Sequence, residues 1–472
     1  MASLMDLEKA ALLGHNCHYL PSYVLMENPQ ETDPLLRTRT MPKISKKSRR
    51  FVRWLVAALV LIVCFIILKA QFVFYFFGSS RLHQIPGYNL PKRPSALLNS
   101  STDVPFDLPA PPQFTLPLRA AGRYIVDRNG DRIKLKSVNW YGASDIFFAP
   151  MGLDVRHRNQ IAALIRHMGF NSVRLPYSDE LVIKNPIVEK SLLKANPDLI
   201  GKDAMAIYAA IVTALSDAGL AVIPNNHITQ ATWCCGTHWD DTCDAFVSND
   251  WYPWCRVKQS EADWLDHWAA VMAPHVNNSL VIGADLRNEV RGIWGTMPWS
   301  RWAAAAEKAA DRLLALNPEW LIVVEGIASA NVLTDAATRP IETRLPHRIV
   351  YSAHVYSWSG WGAAWPYSKR PYDAFAADMR KNWGFLLESN TAPVWVGEMG
   401  TPGRPSEGDY NYWSHLVRYL QSVDADWGYW ALNPRKPKGD EWESYGLVKD
   451  DWRTVRWDYR MNDLMSLGLT PI

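Results

Sequence analysis

The chain has no glycine-rich phosphate loop, no surplus of either charge and few cysteines. Among its 472 residues, Lys and Arg total 50 against 47 Asp and Glu, for a net charge of +3. That balance argues against a nucleic-acid binder, which concentrates basic residues on one face. Without a Gly-rich turn after the first strand, an open doubly wound dinucleotide-binding sheet is disfavoured, and no cofactor is expected. Of the 6 cysteines, Cys17 and Cys64 stand alone, and Cys234, Cys235, Cys243 and Cys255 share one loop. Four cysteines allow three pairings. A bridge between adjacent Cys234 and Cys235 is strained, so two bridges outward to Cys243 and Cys255 are expected. Zinc, with His238 nearby, is the rival reading, but the spacing departs from the usual zinc patterns, and no metal is expected.

Long apolar runs are also scarce, with one exception. Residues 54–77 are interrupted only by Lys69 and Gln71, enough to cross a bilayer core that needs about 20 apolar residues. Lys43, Lys46, Lys47, Arg49, Arg50 and Arg53 precede the run, whereas only Arg81 follows closely. Positive residues stay cytosolic, so the expectation is a type II membrane protein. Its parts are a cytosolic, disordered tail over residues 1–53, a signal anchor over 54–77, a Pro-rich stalk over 78–118 and a luminal or extracellular domain over 119–472. That side of the membrane permits disulfides and N-glycosylation at Asn99 and Asn277. In the tail, Leu12-Leu13 and Leu35-Leu36 follow acidic residues and Tyr23-Val-Leu-Met26 resembles a tyrosine signal. These patterns point to sorting adaptors as partners and to endosomal, vacuolar or plasma-membrane residence.

From Arg119 onward strands and helices alternate. A hairpin is expected from Tyr124–Val126, an Asn129-Gly130 turn and Arg132–Trp140, the second arm becoming the first barrel strand. Apolar runs follow at Ser172–Leu175, Ala221–Ile223, Leu280–Leu286, Leu321–Val324, Ile349–Ser352, Val394–Val396 and Trp427–Ala431. Amphipathic stretches lie between most of them: Val155–Met168, Ala204–Ala218 with a cap at Asp203, Glu261–His275, Trp299–Asn317, Tyr372–Ser389 and Tyr410–Val423. Only the connection between the fifth and sixth strands lacks a clear helical pattern. Eight strands with intervening helices predict a (β/α)8 TIM barrel in the α/β class.

The ends of those strands carry Asn139 and Trp140, Arg174, Asn225-Asn-His227, Asn288-Glu289, His354-x-Tyr356, Glu398, and Trp430 with Asn433. So many polar and aromatic residues at one end of a barrel are hard to explain as packing, and paired carboxylates are what acetal hydrolysis needs. Taken in order, Arg174, His227, Asn288-Glu289, His354-x-Tyr356, Glu398 and Trp430 resemble glycoside hydrolase family 5, the cellulase-like family. The Cys-Cys loop and Leu286-Arg-Asn-Glu289 resemble its plant and fungal branch, although Val290 stands where many relatives have Pro. The resemblance implies a retaining β-glycosidase acting on a β-glucan or related β-glucoside. Glu289 would be its acid/base and Glu398 its nucleophile, with Arg174 and Tyr356 keeping Glu398 ionised. Asn288 would bind the sugar 2-hydroxyl, His227 and His354 would orient substrate or acid/base, and Trp430 would floor the cleaved-sugar subsite. Asn139 and Trp140 are further candidates for binding substrate or supporting the site.

Tryptophan is abundant, with 23 in the chain. About half suit a core. Others, including Trp140, Trp233, Trp239, Trp251, Trp254, Trp294, Trp358, Trp361 and Trp430, suit a sugar cleft, since an indole is a flat platform for the apolar face of a pyranose. The residues leave further readings open. A β-glucosidase of membrane glycolipids (glucosylceramide or sterol glucoside) fits a tethered enzyme. Asp424-Ala-Asp426 imitates the metal-binding Asp-x-Asp of a type II glycosyltransferase, and a non-catalytic carbohydrate binder would need a broken carboxylate pair. The expected partner is carbohydrate rather than nucleic acid, and the expected state a monomer.

Overall fold

The computed structural model describes residues 115–233, 255–291, 297–360, 366–437 and 441–471. The tail, the apolar run, nearly all of the stalk, Asn99, Cys17, Cys64, Cys234, Cys235, Cys243, His238, Trp239, Trp251, Trp254, Trp294 and Trp361 lie outside these residues. Among the described residues no helix is long and apolar enough to cross a membrane.

Eight parallel strands close into a barrel: β3 (Lys136–Asn139), β4 (Ser172–Ser178), β5 (Ala221–Ile228), β6 (Gly283–Asp285), β7 (Leu321–Glu325), β8 (Ile349–Val355), β9 (Val394–Met399) and β10 (Asp426–Tyr429). They neighbour one another in chain order, with β10 returning to β3. β4 and β5 are buried at every position, as expected of strands covered by helices outside and packed side chains inside. The helices begin where their sequences supply caps. Asp203 accepts from the Ala206 amide at 2.8 Å, and Ser260 with Asp263 and Ser406 with Asp409 form reciprocal capping boxes. Between β7 and β8 lie two short helical turns, Ile327–Ala330 and Thr334–Ala337, and Ala328 and Ser329 inside the first have left-handed backbone. This is the connection whose sequence lacks a helical period.

Two boundaries differ from expectation. β6 is three residues long rather than the full apolar run. Gly283 sits so close to β7 that a Cβ there would lie 2.1 Å from the Leu321 carbonyl oxygen, so the two backbones touch where a side chain would part them. The opening hairpin is also displaced. β2 (Tyr124–Val126) pairs with β1 (Arg119–Ala121) through the Gly122 turn, and with the expected second arm only by a bridge from Val126 to Arg132. The Asp127 carboxylate accepts the amides of Asn129 and Asp131, each at 2.9 Å. It curls the Asn129-Gly130 segment into a local side-chain-capped turn in place of a long ladder.

Apolar packing falls into three regions. The largest joins the strands to the helices and takes in Trp264, Trp268, Trp302, Trp413 and Trp427, so these indoles serve as core. A second fills the barrel interior with Ile223, Ile282, Val323, Val350 and Trp395, and Leu118 and Ile125 of the hairpin region cap it from below. The third, Tyr141, Tyr356, Trp430 and Ala431, lies at the other end. Hence the hairpin is a floor, and the C-terminal ends of the strands form the mouth. Asp424 and Asp426, the Asp-x-Asp pair, belong to the floor side. Asp426 is held by Arg132 at 2.9 Å and by the Leu135 amide at 2.6 Å, and Asp424 by Lys134 at 2.7 Å. Both carboxylates fasten the hairpin to β10, which corrects their reading as a metal-binding pair.

Candidate active site

Above the apolar interior the barrel carries a charged layer centred on Arg174. Its side chain is wholly buried, and its five N–H groups find five acceptors. Nε donates to Asp285 at 2.7 Å. One terminal nitrogen donates to Asn139 at 3.0 Å and Glu398 at 2.5 Å, the other to Asn288 at 2.8 Å and Glu325 at 2.9 Å. One cation therefore binds five groups from four other strands and their ends. Arg174 does not pair with Asp179 or Glu180, the acids that follow it most closely in the chain. Asp179 is taken by Arg287 at 3.2 Å and Asn226 at 3.0 Å, and Glu180 by Lys184 and the Ala231 amide.

Glu398, on β9, is held at both oxygens: Arg174 donates to Oε1 and the Tyr356 hydroxyl to Oε2 at 2.9 Å. The two donors fix the orientation of the carboxyl group. Glu289 is held differently. Its Oε2 accepts from Arg291 at 3.0 Å, its Oε1 lies 3.1 Å from His354 Nδ1, and its amide donates to Glu325 Oε2 at 2.7 Å. Burial raises the Glu289 carboxyl above its ordinary range, against the pull of Arg291 and Arg174. Its backbone is left-handed, with φ +47°. For a non-glycine residue such a conformation costs of order 1–3 kcal/mol and persists only where the surroundings impose it. Glu289, His354 and Glu398 each offer an atom within 4.8 Å of the other two. A cation could bridge them, and so could the reacting centre of an acetal.

The two histidines are neutral at pH 7. Burial brings His354 down to about 4 and lowers His227 well below its usual value. His227 Nδ1 donates to Asn225 Oδ1 at 2.8 Å, and its ring stacks on Trp430 at 5.5 Å and 10°. Tyr141 also stacks on Trp430 at 5.0 Å, and Trp233 meets it edge-on at 6.2 Å. Trp358 is 49% exposed and stacks on Tyr356 at 4.5 Å and 7°.

Of the residues singled out in the sequence, Arg174, Asn288, Tyr356 and Glu398 are joined directly by hydrogen bonds, Glu289 and His354 form a second bonded pair beside them, and His227 and Trp430 stack on each other. Two are corrected. Trp140 is fully buried and donates from Nε1 to the Met151 carbonyl at 3.0 Å, against Trp452. Neighbouring strand residues face opposite sides, so with Asn139 turned inward Trp140 points into the strand–helix core. Asn139 reaches the charged layer but is fully occupied there. It donates to the Gly397 and Tyr429 carbonyls at 3.1 Å each and accepts from Arg174, so it braces the site and is not free for substrate. Asp285 escaped the sequence reading because it lies inside an apolar run. Glu325 is a third carboxylate at a strand end, which the sequence leaves open to a structural or subsite reading. Cys255 is buried and disulfide-bonded, its partner lying outside the described residues. Asn277 is exposed in the turn before β6, at the floor end and away from the mouth.

Comparison with known proteins agrees with this geometry. The family model for cellulase (glycosyl hydrolase family 5) matches residues 126–436. An endoglucanase of Paenibacillus polymyxa is 29% identical over 74% of this chain and 86% of its own length. A glycosyl hydrolase 5 family protein of the conifer Chamaecyparis obtusa is also 29% identical, over 74% of this chain and 65% of its own. Among solved structures, the catalytic domain of the major endoglucanase from Xanthomonas campestris pv. campestris superposes with a TM-score of 0.61 at 27% identity, covering 75% of this chain and all of that one.

Proposed function

This chain belongs to glycoside hydrolase family 5, and from that premise we propose that it is a retaining hydrolase of β-glucans or related β-glucosides, with Glu398 as nucleophile and Glu289 as acid/base. The observation that carries the reading is the unequal treatment of two adjacent carboxyl groups. Glu398 is gripped by a guanidinium and a phenol, and Glu289 is pushed toward its protonated form by burial. Separating the tendencies of a carboxyl pair assigns the acid and the nucleophile. Atoms of the two within 4.8 Å suit retention, which uses carboxyl groups about 5–5.5 Å apart, better than inversion at roughly 6.5–9.5 Å.

Protonated Glu289 donates to the departing oxygen as Glu398 attacks the anomeric carbon and forms a glycosyl-enzyme. Glu289, now a carboxylate, then takes a proton from the water that releases the sugar. Asn288, whose Oδ1 is fixed by Arg174, is placed to meet the 2-hydroxyl. Trp430 is the ring beside the cleaved sugar. The endoglucanase names of the relatives favour a β-glucan as substrate. A glycosyltransferase loses its support, because Asp424 and Asp426 are consumed at the floor.

We retain the type II topology as part of this proposal, resting on the apolar run 54–77 and its asymmetric basic flank. Glycosylation of Asn277 and bridges from Cys255 within the cysteine cluster would follow from it.

The test is product analysis of the full chain and its Glu289→Ala and Glu398→Ala variants, with azide present. Azide should restore Glu289→Ala with a β-glycosyl azide and Glu398→Ala with an α-glycosyl azide. The same product anomer from both would overturn the roles. A panel of β-1,4-glucan, β-1,3-glucan, mannan and β-glucosyl lipid identifies the substrate. Release from lipid alone would replace the glucan reading with the glycolipid one.

A further inference from the structure

The mechanism above leaves the fully buried Glu325 unused. It ends β7, and its carboxylate faces both halves of the catalytic pair. Oε2 accepts the backbone amide of Glu289 at 2.7 Å, and Oε1 accepts from Arg174 at 2.9 Å and lies 3.5 Å from His354 Nε2. Arg174 in turn holds Glu398, and His354 holds the Glu289 carboxyl. Glu325 itself is anchored from outside the barrel, since its carbonyl accepts Trp302 Nε1 at 2.8 Å. The following turn adds a second tie, as the Ser329 amide donates to the Val290 carbonyl at 3.3 Å. The left-handed Glu289 is therefore clasped on both sides, at its own amide and at the next carbonyl, by the β7 end.

We propose that Glu325 is a positioning residue for acid catalysis, whose carboxyl clamps the strained Glu289 backbone and links it to the guanidinium that holds Glu398. Two donors, the Glu289 amide and an Arg174 N–H, approach its two oxygens. A carboxamide offers one acceptor oxygen, so Glu325→Gln satisfies one donor and opposes the other, whichever way it turns. If the Glu289 amide is released, the acid swings from the glycosidic oxygen, and displacement of a catalytic group by about 1 Å can cost roughly 100-fold.

This inference rests on the assignment of Glu289 as acid/base, and its test separates the two. In the full chain, kcat/KM is measured for an aryl β-cellobioside with a very good leaving group, which departs without protonation, and for an unactivated cello-oligosaccharide, which needs it. Glu325→Gln should lower kcat/KM about 100-fold for the oligosaccharide and less than about threefold for the activated glycoside. Trp302→Phe, which removes the anchor on the Glu325 carbonyl, should shift the ratio the same way by a smaller factor, and it carries the test if Glu325→Gln does not fold. Equal losses on both substrates, or none on either, would overturn the proposal. Glu289→Ala is the control: if it does not discriminate between the substrates, the acid/base assignment fails, whatever Glu325 does.

Discussion

Replacing Arg174 with methionine would remove a cation in direct contact with three buried acids, Asp285, Glu325 and Glu398. Methionine fills much of the space but donates nothing. Breaking a buried ion pair by deleting one partner costs about 3–5 kcal/mol, and the three pairs share one cation and do not add. For a domain of this size that corresponds to a fall in Tm of roughly 4–7 °C. The cheapest relief is proton uptake by the abandoned carboxyls, and burial with Asp285 close by already pushes Glu325 well above its usual range. A carboxyl whose folded pKa is raised weakens the fold as pH climbs above its unfolded value near 4. The deficit of Arg174→Met against wild type should therefore be full at pH 7.5 and shrink as pH falls toward 4.5. Thermal or urea melts of both proteins at the two pH values measure it. A deficit that does not change with pH would refute the account, since it would mean lost packing and not stranded charge.

Other consequences can be measured separately. Because burial raises Glu289, the alkaline limb of kcat/KM should fall above the ordinary glutamate range, and Arg291→Met, which removes a cation pulling that group down, should move the limb further up in pH. Trp358→Ala should raise KM for long oligosaccharides by roughly 5–150-fold, the 1–3 kcal/mol typical of a lost ring platform, and leave a short aryl glycoside nearly unchanged. Equal effects on both would mean that Trp358 only supports Tyr356. Cys255→Ser should cost about 2–5 kcal/mol of stability under oxidising conditions, and added reductant should bring wild type down to the variant.

Much of this arrangement was legible before any coordinates. The strands announced themselves as short apolar runs, and the chemistry-bearing side chains sit at their ends, where packing has no use for them. Trp140 shows where such reading slips: it adjoins Asn139, and only the two-residue alternation of a strand separates an inward neighbour from an outward one. Asp285 was hidden because an acid within an apolar run looks like a flaw until its partner is known, and that partner is 111 residues away. Glu325 was in plain view, but its use depends on a backbone amide 36 residues upstream. The fold's periodicity is local, whereas the site is assembled across the barrel.

The floor of the barrel sets how the domain can be held. The described chain enters at Thr115, whose carbonyl accepts the Arg128 amide beside the hairpin. It finishes near the same end, where Lys136 Nζ donates to the Gly468 carbonyl and Thr470 lies against Gly169. Both leads thus emerge behind the barrel, like the two wires of a lamp. Thr115 and Thr470 therefore both lie on the side of the barrel away from Glu289 and Glu398, and a bead coupled beside either of them would sit at the floor and leave the mouth to the substrate.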